Sequence, residues 1–448
     1  MVDQPAKIRE VAWSEMFPWL MLVRAVRIAL MARVMILGAL GMYATMLGWQ
    51  LLAYAFSRSD DPLIASWLKV TNLWGTKDFW VDPYNNSALE LIYSATWYLL
   101  QAPMAIWQFL TRPFLELFQH DLSATGFIFL LLCGIWELLV WGLVGGAITR
   151  IAALKFTRDE APGLIAALKH AARKLPSYSL PPLVALIWAA VFGVQLVVIG
   201  AAMRVEFLAL VAGILWPFVL VLGLLMAILL LGTLAGWPLM WATVSVEGTD
   251  AFDALSRSFA YTYHRPFRLL WYVLFAILLA VISMFVVKLF AASAIALSDW
   301  SIDWGLDERT METVVAPGVE RIDGPALAPP IDPAVPLVTE TDDTSDDIAP
   351  ADSPREPGSM LRGARHAIHF WKMMVAVLAA GYQAGFLWVA AVGVYLLMRR
   401  DIDGVQLNEV YVDPADEYGL PPLADEATGG VPEVAPNQPA PPGSTNAI

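Results

Sequence analysis

LALVAGILWPFVLVLGLLMAILLLGTLAGWP, residues 208–238, is a run of 31 residues without a charged side chain. Soluble domains interrupt their apolar stretches every few residues, whereas a helix crossing a hydrocarbon core of roughly 30 Å needs about 20 consecutive apolar residues. In lipid each backbone N–H and C=O of such a segment has to be satisfied within the segment, so the run is read as a helix. The composition agrees: 58% of the 448 residues are hydrophobic, 15% are charged and the mean hydropathy is +0.59, a balance that needs lipid as solvent. The fold class is therefore all-α, a polytopic transmembrane helical bundle of about six spans with interfacial amphipathic helices.

Outward from this run, which is read as span 4 over 208–237, further spans fall at 32–56, 125–148, 182–203, 269–297 and 368–398. Ahead of the first, residues 1–31 hold a basic stretch in which Arg24 and Arg27 stand among Phe17, Trp19, Leu20, Ile28 and Leu30, an amphipathic helix for a membrane surface. The bundle occupies 32–298 and includes an outer aromatic segment at 57–121. Within that segment residues 89–118 are long enough to span, but Pro103, Arg112, Pro113 and Glu116 interrupt them and they read as interfacial or re-entrant. Span 6 lies within 361–400. No cleavable signal peptide is read, because Lys7, Arg9, Arg24 and Arg27 are scattered through the first 30 residues.

The net charge of −13 is concentrated in two segments. Residues 299–358 carry fifteen acids against three arginines, and residues 401–448 carry nine acids and no base, which leaves +8 on the rest. The Pro-rich acidic stretch 299–360 reads as a disordered extracytoplasmic linker and 401–448 as a disordered cytoplasmic tail. The acidic balance argues against a nucleic-acid partner. Short-loop bases set the orientation: Arg150, Lys155, Arg158, Lys169, Arg173 and Lys174 after span 2, Arg257, Arg265 and Arg268 after span 4, and Arg399 and Arg400 after span 6. With six spans all of these fall on one side with the N-terminus. The expected setting is a bacterial inner membrane with both termini in the cytoplasm.

The loops after spans 2 and 4 share a pattern. Glu160 is followed seven residues later by Ala167-Leu168, and Glu247 by Ala254-Leu255 at the same offset. Each unit reads as an inbound span, a short amphipathic helix, a proline and a returning span, a tandem hairpin repeat over 125–297. In the second helix Phe252, Leu255, Phe259 and Tyr263 make an apolar stripe opposite Asp250, Asp253 and Arg257, which suits the bilayer surface or the underside of the bundle. The stretch Glu247-Gly248-Thr-Asp250, followed by Ala254 and by Arg257-Ser258-Phe259, resembles the loop of uncharacterised bacterial membrane proteins distantly similar to the membrane domain of glycerophosphodiester phosphodiesterases. Arg399-Arg400-Asp-Ile-Asp403-Gly404, with Glu409-Val-Tyr411, is similar to planctomycete membrane proteins of that kind. The resemblance implies a helical membrane module. It does not bring the phosphodiesterase activity, whose domain is missing from the match.

Candidate sites are few. Glu137 falls within an apolar span, where an ionised group costs on the order of 3 kcal/mol on insertion scales, and reads either as a proton or ion pathway or as a single interhelical hydrogen bond. Lys288, nearer the outer interface, reads as a snorkelling lysine. His366 and His369 share the spacing of metal ligands, but without a third ligand nearby they read as an interfacial anchor, and Cys133 reads as a small core residue. Glu160, Glu247, Gly248, Asp250, Arg257 and Ser258 form the candidate loop motif. Glu247-Gly-Thr-Asp-Ala also invites comparison with the ATPase-docking loop of permease subunits, but the downstream glycine of that loop is missing. No catalytic set, metal site, cofactor or nucleotide motif is read. The expected function is a non-enzymatic scaffold or anchor for partner proteins, with the bilayer and other membrane proteins as partners; the alternative is a transporter or permease subunit that uses the paired hairpins and Glu137.

Overall fold

The computed structural model describes residues 17–59, 61–70, 95–119, 122–306, 310, 315, 359–407 and 409–411. These residues form a helical bundle. A 3-10 turn at Pro18–Leu22 leads into α1 (Val23–Ala29), followed by α2 (Ala32–Ala55), α3 (Pro62–Val70), α4 (Ala95–Glu116), α5 (Ala124–Thr157), α6 (Leu164–Arg173), α7 (Leu175–Ala202), α8 (Glu206–Ile214), α9 (Trp216–Glu247), α10 (Ala251–His264), α11 (Pro266–Asp303) and α12 (Ser359–Asp403). Six of them, α2, α5, α7, α9, α11 and α12, are long and apolar enough to cross a membrane, so the chain is a multi-pass membrane protein. Most of the acidic linker and of the tail lies outside the described residues, with α11 reaching Asp303 and α12 opening at Ser359.

Small residues let the spans close up. Where α2 meets α12, Gly38 and Gly381 face one another and Gly385 faces Val34; a Cβ on Gly381 would lie 2.7 Å from the Ala39 nitrogen and one on Gly385 2.8 Å from a Val34 methyl. Lipid gives apolar helices little reason to associate, so close backbone approach of this kind carries much of the association. On α5, Gly145 and Gly146 leave room for the rings of Trp241 and Tyr178. The outer faces of α7, α8 and α9 are largely open, Val197, Phe207 and Leu231 among them, as lipid-facing surfaces are.

Three boundaries differ from those expected of the apolar runs. Span 4 is not continuous: α8 ends at Ile214 and α9 starts at Trp216, because Pro217 has no N–H to give to a preceding turn and fits only the first turn of a new helix. The helices α5, α9 and α12 also continue past their apolar runs, and over residues 144–153, 238–246 and 388–398 they are buried against one another. That layer lies at the basic end of the bundle and buries charged and hydroxyl groups that a hydropathy pattern reads as loop. Residues 95–116, placed in the interfacial or re-entrant segment, form one helix through Pro103 and Pro113, packed against α5 and α11.

The N-terminal basic helix also packs on protein. Leu22, Ala25, Ile28 and Ala29 face the bundle while Arg24 and Arg27 point out. Arg24 donates to the carbonyls of Lys155 (3.1 Å) and Phe156 (3.3 Å), the last turn of α5, where a helix leaves its carbonyls unpaired.

Candidate functional site

The loop motif is first a local joint between two helices. Glu247 is the last residue of α9, and Gly248 follows in the left-handed conformation (φ 67°), donating its N–H to the Val244 carbonyl at 2.9 Å. Only glycine takes that backbone cheaply, and here a side chain would also collide with the Tyr411 ring, 2.6 Å from a Cβ. Two residues on, the Asp250 carboxylate accepts the Asp253 N–H (3.0 Å) and caps the start of α10. The capped α10 then turns a face of small residues towards the bundle, with Ala254 and Ser258 fully buried and Thr262 nearly so. Ser258 donates to the Gly236 carbonyl at 2.6 Å, close enough that Gly236 has no space for a side chain. Of the apolar stripe, Phe259 and Leu255 pack against the core while Phe252 and Tyr263 stay exposed.

This joint delivers Glu247 into an ionic clasp. Its carboxylate, 8% exposed, lies 2.6 Å from Arg257 of α10 and 3.1 Å from Arg399 of α12, and accepts a hydrogen bond from Tyr395 at 2.6 Å. Burial opposes the charge on Arg257, but Glu247 beside it and the hydrogen bond to Asp253 outweigh that and hold the guanidinium above its usual value. Next to the clasp, Tyr261 donates to the Asp403 carboxylate, and Asp401 accepts from Arg268 (2.9 Å) and Tyr272 (2.7 Å). Burial first, then the bond to Asp403, push the Tyr261 phenol above its ordinary value. Helices α9 and α10, consecutive in the chain, and α12, which meets them only in space, thus share one set of charges.

A second polar cluster fixes α5 and α7 to the same place. Ser245 lies 2.6 Å from the Thr149 hydroxyl and 2.8 Å from that of Tyr178. Arg150, 2% exposed, donates to the carbonyls of Ser245 (2.9 Å) and Tyr411 (2.8 Å), and Tyr411 donates its own N–H to Val246 (2.7 Å). Lys174 donates to the Gly248 carbonyl at 2.8 Å. After α12 the chain turns at Gly404 (φ 70°) and returns as a strap across the end of α9.

Glu160, the repeat counterpart of Glu247, stands outside the clasp. It is exposed beyond the end of α5, where Asp159 instead pairs with Lys155 at 3.0 Å; that hydrogen bond, with the Lys155 charge, holds the Asp159 carboxyl below its usual range. The two short helices still begin at matching positions, Leu164 and Ala251, and bury matching small residues, Ala167 with Ala254 and Ala171 with Ser258.

Glu137 lies apart from all of this. It is 3% exposed, its Oε2 has no hydrogen-bond partner, and it lines a cavity of about 310 Å³ between α4, α5, α7 and α9. Phe114, Trp141, Trp237 and Trp241 supply aromatic walls, backed by Trp388, which stacks on Trp241 at 4.2 Å. Thr111 and Thr233 also line it, but their hydroxyls are engaged by the Trp107 and Leu229 carbonyls of their own helices. Lys288, on α11, is not among the lining residues. Cys133 is buried, and among the described residues no three His, Cys, Asp or Glu side chains come together as metal ligands; His366 is exposed and His369 half-buried on α12.

Of the clasp and the cluster beside it, sequence reasoning singled out Glu247, Arg257 and the local joint; it named Arg150 and Arg399 as orientation-setting bases, and Arg399, Asp403 and Tyr411 in the resemblance at the end of α12, without joining them to Glu247 or Ser245, and it missed Tyr395. The available signal was the placement of Arg399 and Arg400 on the same side as the loop. Against known proteins, no family, no curated protein and no solved structure matches this chain.

Proposed function

We propose that the chain is a non-enzymatic scaffold or anchor of a bacterial inner membrane, with both termini and the clasped end of the bundle in the cytoplasm, and that this end presents α6 and α10 to a partner protein. One observation carries the reading. Ile165 and Phe252, equivalent in the repeat register, are 79% and 71% exposed at the starts of two helices whose other faces are locked down. Large apolar side chains on an otherwise charged, rigid surface are the usual anchors of a protein interface. The buried Glu247 clasp supports the same reading, since charges gathered from three helices fix the geometry of what they carry. What the resemblance implies, a helical membrane module and not a reaction, fits this role.

The test is purification of the full chain, tagged at its C-terminus, in mild detergent, with mass spectrometry of what accompanies it. A stoichiometric partner protein lost on the double substitution Ile165→Glu, Phe252→Glu is expected. A partner set unchanged by it would count against the proposal. A second reading, a transporter or permease subunit, is favoured by the Glu137 cavity, and a co-purifying ATPase or a retained solute would put it first.

A further inference from the structure

The Glu137 cavity combines three properties that define a ligand. The walls are leucine, phenylalanine, tryptophan and Pro182; the threonine hydroxyls are already bonded to their own helices; and the remaining polar groups are a buried carboxyl with an unpartnered oxygen, the one group there that carries a charge when ionised, and the indole N–H groups of Trp141, Trp237 and Trp241, which have no acceptor. Leaving a carboxyl unpaired among apolar side chains is costly, and a mostly apolar cavity does not hold water well enough to relieve it. The rim residues Leu115 (55% exposed) on α4 and Leu231 (63%) on α9 face outward, so the cavity is open on the side that meets lipid. Its volume of about 310 Å³ lies at the lower end of the range for small-molecule pockets, roughly 300–1,000 Å³.

We propose that this cavity binds a lipophilic amine from the bilayer, the ammonium group meeting Glu137 and its attached carbons lying on the indole walls, with the hydrocarbon chain leaving between Leu115 and Leu231. A positive charge is what a carboxylate lacks in this setting, and Trp141, Trp237 and Trp241 offer the aromatic surface that attracts an alkylammonium group. The apolar walls and lateral mouth match a chain that partitions into lipid, and exclude a free, fully hydrated ion. The inference adds a ligand class to the transporter reading and is separate from the scaffold; binding is measured without transport, so failure of either leaves the other standing.

The probe is hexadecylamine carrying a diazirine near its polar end, with the matching alcohol as the uncharged control, irradiated with the full chain in phosphatidylcholine nanodiscs. Adducts on α4 and α9 cavity residues are expected with the amine, suppressed by excess unlabelled hexadecylamine but not by hexadecanol, and reduced about tenfold in Glu137→Gln, as the loss of a contact worth about 1.4 kcal/mol requires. If Glu137→Gln does not fold, Leu234→Trp, which narrows the cavity with the carboxyl intact, should reduce the labelling in its place. Equal labelling by amine and alcohol, labelling unaltered by the substitution that folds, or adducts confined to the outward faces would overturn the proposal.

Discussion

Replacing Glu247 by Gln keeps the size of the side chain and an oxygen for Tyr395, and removes only the charge that Arg257 and Arg399 share. Arg399 is 13% exposed on its side chain, so its charge then lies in poorly solvated surroundings with a second guanidinium nearby. Breaking one side of a buried pair costs about 3–5 kcal/mol. Arg257, at 39% exposure, is screened by water and adds about 1 kcal/mol at most. Part of the Arg399 charge is relieved by its bond to the Glu409 carbonyl at 2.8 Å, which places the net loss near the bottom of the range, about 3 kcal/mol. At about 2 °C per kcal/mol for a chain of this size, Glu247→Gln should melt on the order of 6 °C below the parent. Tryptophan fluorescence in nanodiscs at one fixed scan rate is a suitable assay, because membrane proteins often unfold irreversibly. Glu160→Gln, the same change at the exposed counterpart, should leave the melt where it was. Equal melting of Glu247→Gln and the parent would refute the clasp as a stabilising element.

The α2–α12 crossing should be intolerant of added volume: Gly381→Val should cost more than the roughly 1–3 kcal/mol of ordinary overpacking, seen as lost monodisperse yield, whereas Gly363→Val in the same helix, with open space around it, should not. Tyr261 should ionise late. Burial first, then the bond to Asp403, raise its value, so the stability tied to the neutral phenol is fully present below the unfolded tyrosine value of about 10 and is lost as pH rises through the higher folded one, and a spectrophotometric titration of the parent against Tyr261→Phe should show one phenol titrating after the exposed set. Arg150→Met leaves the Ser245 and Tyr411 carbonyls without their donor, a loss of about 1–3 kcal/mol, and should speed tryptic cleavage after Arg399 and Arg400 by releasing the strap at Tyr411; an unchanged digest would show the strap held by other contacts.

The six spans were legible because each apolar run is long and the hydrocarbon allows only one backbone form within it. The joint at Glu247-Gly248-Thr-Asp250 was legible as a motif, and its physics is local: a left-handed glycine and an aspartate cap. The α12 partners of Glu247 were not legible, because Tyr395 and Arg399 lie some 150 residues away and only the folded bundle brings α12 beside α9. Hydropathy also misjudged where helices end. Thr149, Arg150 and Ser245 look like loop residues in a transfer scale, yet each is buried on a helix that continues because its polar groups bond to one another. Amphipathic reading of α10 found the larger, aromatic stripe, while the buried contact uses Ala254, Ser258 and Thr262, since only small side chains fit against Gly236. Glu137 was visible as an acid in an apolar run, but the aromatic cavity beside it needs four helices to exist.

The most direct test of the scaffold reading is a photocrosslinking amino acid placed at Phe252 in the full chain and activated in living cells, with the lipid-facing Phe218 as reference. One discrete protein adduct is expected from position 252, absent from position 218 and weakened by Glu247→Gln. Lipid adducts alone from both positions would contradict it, and would make α10 a helix that rests on the membrane instead of on a partner.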